Sequence, residues 1–204
     1  NTLVLDDDIV IHGLRRITDA VHGQGGKVFA QLNHGGRQCE RAITGTRPVA
    51  PSPVPHLTNM EIPRALTSDE IEKIVQCFGQ AARRVKHAGF DGIEIHAAHG
   101  YLINQFLAPY TNQRRDEWGG GFDERARFLT AVYDMIRIMV GPKFPIIVKL
   151  SATDCIPGGV TFEDCSKLGE LLERRGIDGI EVSCGTPETG FTTTRGGIPE
   201  AIMK

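Results

Sequence analysis

Short apolar segments alternate along this chain with longer segments of helical periodicity, and that alternation limits the folds open to it. Lys27–Leu32 (KVFAQL), Phe90–Ile95, Pro145–Leu150 (PIIVKL) and Ile177–Val182 (IDGIEV) read as short buried strands. Asp6–His22, a stretch from Thr67 or Ser68 to about His87, Asp123–Val140 and Thr161–Arg175 read as helices. The first carries Ile9, Leu14, Ile17 and Val21 at helical spacing, behind acidic Asp6–Asp8, which suit a positive helix N-terminus. The second has Glu70 and Glu72 in its first turn, and the third carries Phe128, Val132, Ile136 and Met139 on one face. Gly23, Gly25 and Gly26 stop the first helix and Gly89 the second. Residues 44–63 are rich in proline, lack any period and predict a long loop. Helix and strand in strict turn predict parallel strands joined by right-handed crossovers. Four such units make half of a (β/α)8 barrel, so the expected fold is α/β, a partial TIM barrel.

The order of elements also disposes of two nucleotide motifs. GQGGK at Gly23–Lys27 resembles a phosphate loop, but it follows a helix and precedes a strand, the reverse of what that mechanism needs. No GxGxxG follows a strand, so a Rossmann site has no support. Over 204 residues the formal charge is -2, which provides no basic field for nucleic acid and no polybasic membrane patch. No apolar run reaches membrane-spanning length and no signal peptide is visible. Cys39, Cys77, Cys155, Cys165 and Cys184 are scattered and never form CxxC, which suits reduced thiols and a cytoplasmic location.

In a parallel barrel the strand C-termini converge on one face, where active sites collect. The segment GIEIHAAHGYLINQFL (Gly92–Leu107) puts His96, His99 and Tyr101 just there. Two imidazoles and a phenol could polarise a carbonyl oxygen and deliver a proton to a neighbouring carbon. A satisfied pair of core histidines and a metal site are the alternatives, although no third ligand stands at a spacing that zinc would use. Gln31 ends the first strand, Lys149 lies at the end of the third and Ser183 follows the fourth. An amide suits an imide edge, and a cation suits a heterocycle that gains negative charge on reduction. A surface amide and a snorkelling lysine are the plainer readings of Gln31 and Lys149.

QLNHGGR (Gln31–Arg37), APSPVP (Ala50–Pro55), AGFDGIEIHAAHGYLINQFLAPYTNQRRDEWGG (Ala88–Gly120) and VKLSATD (Val148–Asp154) together resemble the old yellow enzyme family. Within that family the likeness is greatest to the bacterial NADH:flavin oxidoreductases. The resemblance implies a barrel that holds FMN, takes hydride from NADH or NADPH, and passes it to an electrophilic alkene or quinone. It implies that Gln31 binds the flavin pyrimidine edge and that Lys149 sits by N1/O2, where many members have arginine. His96 and His99 would hold the substrate carbonyl oxygen and Tyr101 would protonate the α-carbon. Arg114, Asp116, Gly119, Gly120 and Arg127 match a structural segment of the family, with Trp118 where tyrosine is common and Gly121 where serine is common.

By strand count the chain corresponds to the third to sixth barrel strands, without the first two and last two, as one partial domain over residues 1–204. The last two would bring the phosphate site and the first two further flavin contacts. The alternative for these 204 residues is therefore an inactive, cofactor-free half-barrel. A four-strand sheet would have two open edges and an inner face expected to carry Ile93, Ile95, Val148 and Val182. Such a sheet is expected to form a homo-oligomer or to belong to a longer chain, with FMN absent or weakly held.

Overall fold

Sequence order becomes spatial order in this fold, since each crossover returns the chain to the next parallel strand. The computed structural model describes residues 3–57 and 60–189. Along the chain come α1 (Val10–His22), β1 (Phe29–Leu32), a short α2 (Arg41–Thr44), β2 (Val49–Ala50), β3 (Arg64–Ala65) and α3 (Ser68–His87). There follow β4 (Gly92–Ala97), α4 (Leu102–Leu107), α5 (Phe122–Val140), β5 (Ile146–Ser151), α6 (Phe162–Glu173) and β6 (Gly179–Ser183). β1, β4, β5 and β6 form one sheet in that order, every pair parallel. β2, inside residues 44–63 where the sequence suggested only a loop, forms a separate parallel pair with β3 just after them.

Both long crossover helices that follow a threonine begin with a capping box. Thr67 accepts from the Glu70 backbone N–H while the Glu70 carboxylate accepts from Thr67, and Thr161 and Asp164 do the same for α6. Bonding to Arg64 and to the Thr67 backbone holds the Glu70 carboxyl down at about 2. The strands are tied at their starts by two aspartates. Asp91 accepts from the Val28 N–H and pairs with His22 and Lys27; Asp178 accepts from the Ile146 N–H and pairs with Arg137. The GQGGK segment is a helix stop as expected, with Gly25 at φ +74° and Lys27 bound to Asp91.

The structure departs from the sequence reading at several points. α1 starts at Val10, because the Asp7 carboxylate accepts from the Ile9 N–H and closes the turn before it. Its buried face is Leu14 and Thr18, while Ile9 is 81% exposed, because the Thr18 hydroxyl donates to the Ala88 carbonyl at 2.7 Å and fixes the rotation. β1 and β6 are the sheet's edges and are not continuously buried. The inner face is not the apolar one. Ile93, Ile95 and Val148 are fully buried in the core shared with α3 and α5, and Val182, on their side of β6, is 65% exposed. Period-2 alternation turns Gln31, Glu94, His96, Lys149, Glu181 and Ser183 to the opposite, polar side. Finally, α4 occupies residues to which the sequence analysis assigned no element; all six are buried and none is charged, so no amphipathic period marks it.

Candidate active site

The polar side of the sheet is a site built by register. Gln31 pairs with Glu94 across β1 and β4, and His96 pairs with Lys149 across β4 and β5. Lys149 pairs with Glu181 across β5 and β6. Gln31 Nε2 donates to Glu94 Oε2 in a short hydrogen bond. Lys149 Nζ lies 3.6 Å from Glu94 Oε2 and 3.0 Å from Glu181 Oε1. Burial pushes the Glu94 carboxyl above its ordinary range, and the adjoining Glu181 adds to this. The Glu94 carboxyl beside it and the Lys149 ammonium hold Glu181 below its own.

Just beyond, the three rings singled out in the sequence come together. His96 stands edge-on to His99 at 5.1 Å between ring centroids and edge-on to Tyr101 at 4.8 Å. His96 Nδ1 accepts from the Ala98 N–H at 3.3 Å, so the proton of the neutral ring sits on Nε2. Burial, then the charges of His99 and Lys149, depress the His96 pKa to about 4. His99 is lowered too, by burial first and Lys149 second, and its Nε2 is 2.6 Å from Ser183 Oγ. Both imidazoles are therefore neutral near pH 7 and serve as hydrogen-bonding dipoles rather than fixed charges.

The turn that carries these rings is held against its own preference. His99 adopts φ +58° and Gly100 φ +72°, a left-handed pair that costs a histidine free energy. Both peptide groups of Gly100 are gripped from α4: its N–H donates to Asn104 Oδ1 at 2.6 Å and its carbonyl accepts from Gln105 Nε2 at 2.7 Å. Asn104 is held in turn by Asp154, a carboxyl that burial raises to about 6 and that accepts from the Val160 N–H. Gln105 also accepts from the Arg37 N–H, and a Cβ on Gly36 would lie 2.4 Å from its Oε1, so this approach requires glycine. Behind it, fully buried Arg37 pairs with buried Glu188 and donates to the Pro55 carbonyl at 2.9 Å.

All five residues expected in the site, Gln31, His96, His99, Tyr101 and Lys149, thus lie on or beside one face. Glu94, Glu181, Asn104, Gln105 and Asp154 were missed. Glu94 and Glu181 had a visible signal, a charge at an alternating position inside an apolar strand. Within the segment matched to the family, Arg114 and Asp116 form an arginine–carboxylate lock: Arg114 Nε is 3.0 Å from Asp116 Oδ1, and the same guanidinium donates to the Pro51 and Leu66 carbonyls. Arg127 stands outside it, 3.9 Å from Glu117 on the surface. Among the described residues no three His, Cys, Asp or Glu side chains converge as a metal site would need, and no helix is long and apolar enough to cross a membrane.

Comparison with known proteins gives this geometry a context. Residues 1–185 match the model of the NADH:flavin oxidoreductase / NADH oxidase family. An NADH oxidase of Thermoanaerobacter brockii is 46% identical over 188 residues, which are 92% of this chain and 29% of that protein. Among solved structures, a 2-naphthoyl-CoA reductase in complex with 2-naphthoyl-CoA superposes with a TM-score of 0.85 at 32% identity, covering 91% of this chain and 30% of that one. The old yellow enzyme homologue of Zymomonas mobilis superposes with a TM-score of 0.79 at 34% identity, covering 86% of this chain and 53% of that one. The chain thus spans between about a third and about half the length of these proteins, and its four-stranded parallel sheet is a sector of their barrel. It belongs to the NADH:flavin oxidoreductase / NADH oxidase family.

Proposed function

We propose that the polar face of the sheet is the cofactor-edge and substrate-oxygen part of an FMN-dependent ene-reductase site, on the third to sixth strands of a barrel. The observation that carries this is the meeting of the His96, His99 and Tyr101 rings on the face that also holds the Gln31, Glu94 and Lys149 row. FMN, when bound, relays hydride from NADH or NADPH to the β-carbon of a polarised alkene. The residues present fit it: Gln31 Oε1 accepts no hydrogen bond from the described residues, and Lys149 is a cationic donor on the same face.

The chain's own residues supply what remains. The neutral His96 ring turns Nε2–H outward, and a substrate carbonyl oxygen there is polarised without bringing a full charge into the site. His99 donates beside it, steered by Ser183. The Tyr101 hydroxyl passes its proton to the α-carbon as charge builds on the oxygen. Small electrophilic alkenes and quinones, with an acceptor oxygen next to a polarised double bond, are the substrate class that this pattern fits.

The test separates the two half-reactions in an FMN-loaded protein containing this chain. Tyr101→Phe should slow alkene reduction by about 10²–10⁴-fold. Reduction of the flavin by nicotinamide should keep its rate. Equal losses in both steps would remove Tyr101 from the role of acid. A chain that neither binds FMN nor contributes to its binding would favour the cofactor-free half-barrel.

A further inference from the structure

The inner face contains a carboxyl group that neither the substrate oxygen nor the proton transfer requires. Glu94 is 7% exposed in the middle of β4. Its Oε2 accepts from Gln31 on β1 and faces Lys149 on β5, while its Oε1 is buried with no hydrogen-bond partner among the described residues. Glu181 on β6 lies beside it, and His96 and His99 are the other titratable groups near this row.

An amide has two ends of opposite polarity, and a carboxyl oxygen that accepts can bind only the NH2 end. Glu94 therefore holds Gln31 by Nε2 and leaves Oε1 as an acceptor that no described residue bonds. Lys149 can only donate. Read across β1 to β5, the row offers an acceptor and then a donor. We propose that Glu94 is a positioning residue that sets this order, so that the site takes a ring whose edge presents an N–H donor followed by a carbonyl acceptor. This rests on the flavin reading above, since the imide edge of an isoalloxazine has that pattern.

Protonation leaves this hold in place, because Oε2 goes on accepting from Gln31 when a proton sits on Oε1. Glutamine at this position has the same donor and acceptor layout as the protonated acid. Alanine has neither.

Two measurements on a protein containing this chain test the assignment. In the first, ¹H–¹⁵N spectra follow the Gln31 side-chain NH2, identified by its loss in Gln31→Leu. Glu94→Ala should move that pair to the position of a free amide and speed its exchange with water, and Glu94→Gln should restore it. Unchanged Gln31 resonances in Glu94→Ala would overturn the proposal whether or not any flavin binds. In the second, lumiflavin and 3-methyllumiflavin, which need no phosphate site, are titrated by fluorescence quenching. Loss of the N3–H should weaken binding about tenfold in the parent chain and in Glu94→Gln, and by less than about twofold in Glu94→Ala. Equal discrimination in all three proteins would overturn the proposal. Failure of the parent chain to bind either flavin, with Gln31 still responding to Glu94, would refute the flavin reading and uphold the hold of Glu94 on Gln31.

Discussion

Replacing His96 with asparagine should make the chain less sensitive to acid. The imidazole is 5% exposed and its pKa is depressed to about 4 by burial first and by His99 and Lys149 after it. In an unfolded chain the same group titrates near 6.5. The folded state then binds fewer protons than the unfolded one between these values. Stability is complete above pH 6.5 and is lost as pH falls from about 6.5 to about 4. A shift of this size corresponds to at most about 3 kcal/mol, and water reaching the open side reduces the expected loss to about 1–2 kcal/mol. Asp154, raised to about 6 by burial, runs the other way in the same interval, since its folded form takes up a proton early. For that reason the informative quantity is the difference between the parent chain and His96→Asn in the urea midpoint at pH 7 and at pH 4. The parent should lose more on acidification. Imidazole ¹⁵N shifts should show His96 as the Nε2–H tautomer with a midpoint near 4. A midpoint near 6.5, or equal acid losses in both proteins, would refute the electrostatic account of this face.

Two further outcomes concern the frame around the site. Thr67→Ala should cost about 1 kcal/mol of stability in chemical denaturation, because it removes the hydroxyl that accepts from the Glu70 N–H at the start of α3. Arg37→Met should cost about 3–5 kcal/mol, because it leaves Glu188 buried without its partner, whereas Arg37→Met combined with Glu188→Gln should recover part of that loss.

Local signals in the sequence led to most of the framework, and the failures have physical causes. Capping threonines, stop glycines and continuous apolar runs act over a few residues, so the crossover helices and the four strands were legible to within a residue or two at most ends. The side of the sheet was misjudged because an apolar run does not say which neighbour covers it. Ile93 and Ile95 go under the helices, and the alternating Glu94 and His96 line the inside. A repeated element could have shown this. DGIEI at 91–95 and DGIEV at 178–182 each supply an aspartate that ties the preceding strand and a glutamate that faces inward. The rings at His96, His99 and Tyr101 were legible as a cluster, but the grip on them was not. Asn104 and Gln105 reach the turn from a buried helix with no amphipathic period, and Asp154 steadies Asn104 from a loop some 50 residues away.

In the proposed site, the histidine pair beside the Gln31, Glu94 and Lys149 row stabilises negative charge on a ligand oxygen next to a bound flavin. A phenol titration of an FMN-loaded protein containing this chain measures that most directly, because a phenolate oxygen mimics the charge that builds on the substrate carbonyl. Phenol should raise a long-wavelength charge-transfer band with oxidised flavin, and the band should disappear when His96 and His99 are both replaced by alanine, while the flavin stays bound. Phenol affinity and band intensity indifferent to that double replacement would contradict it.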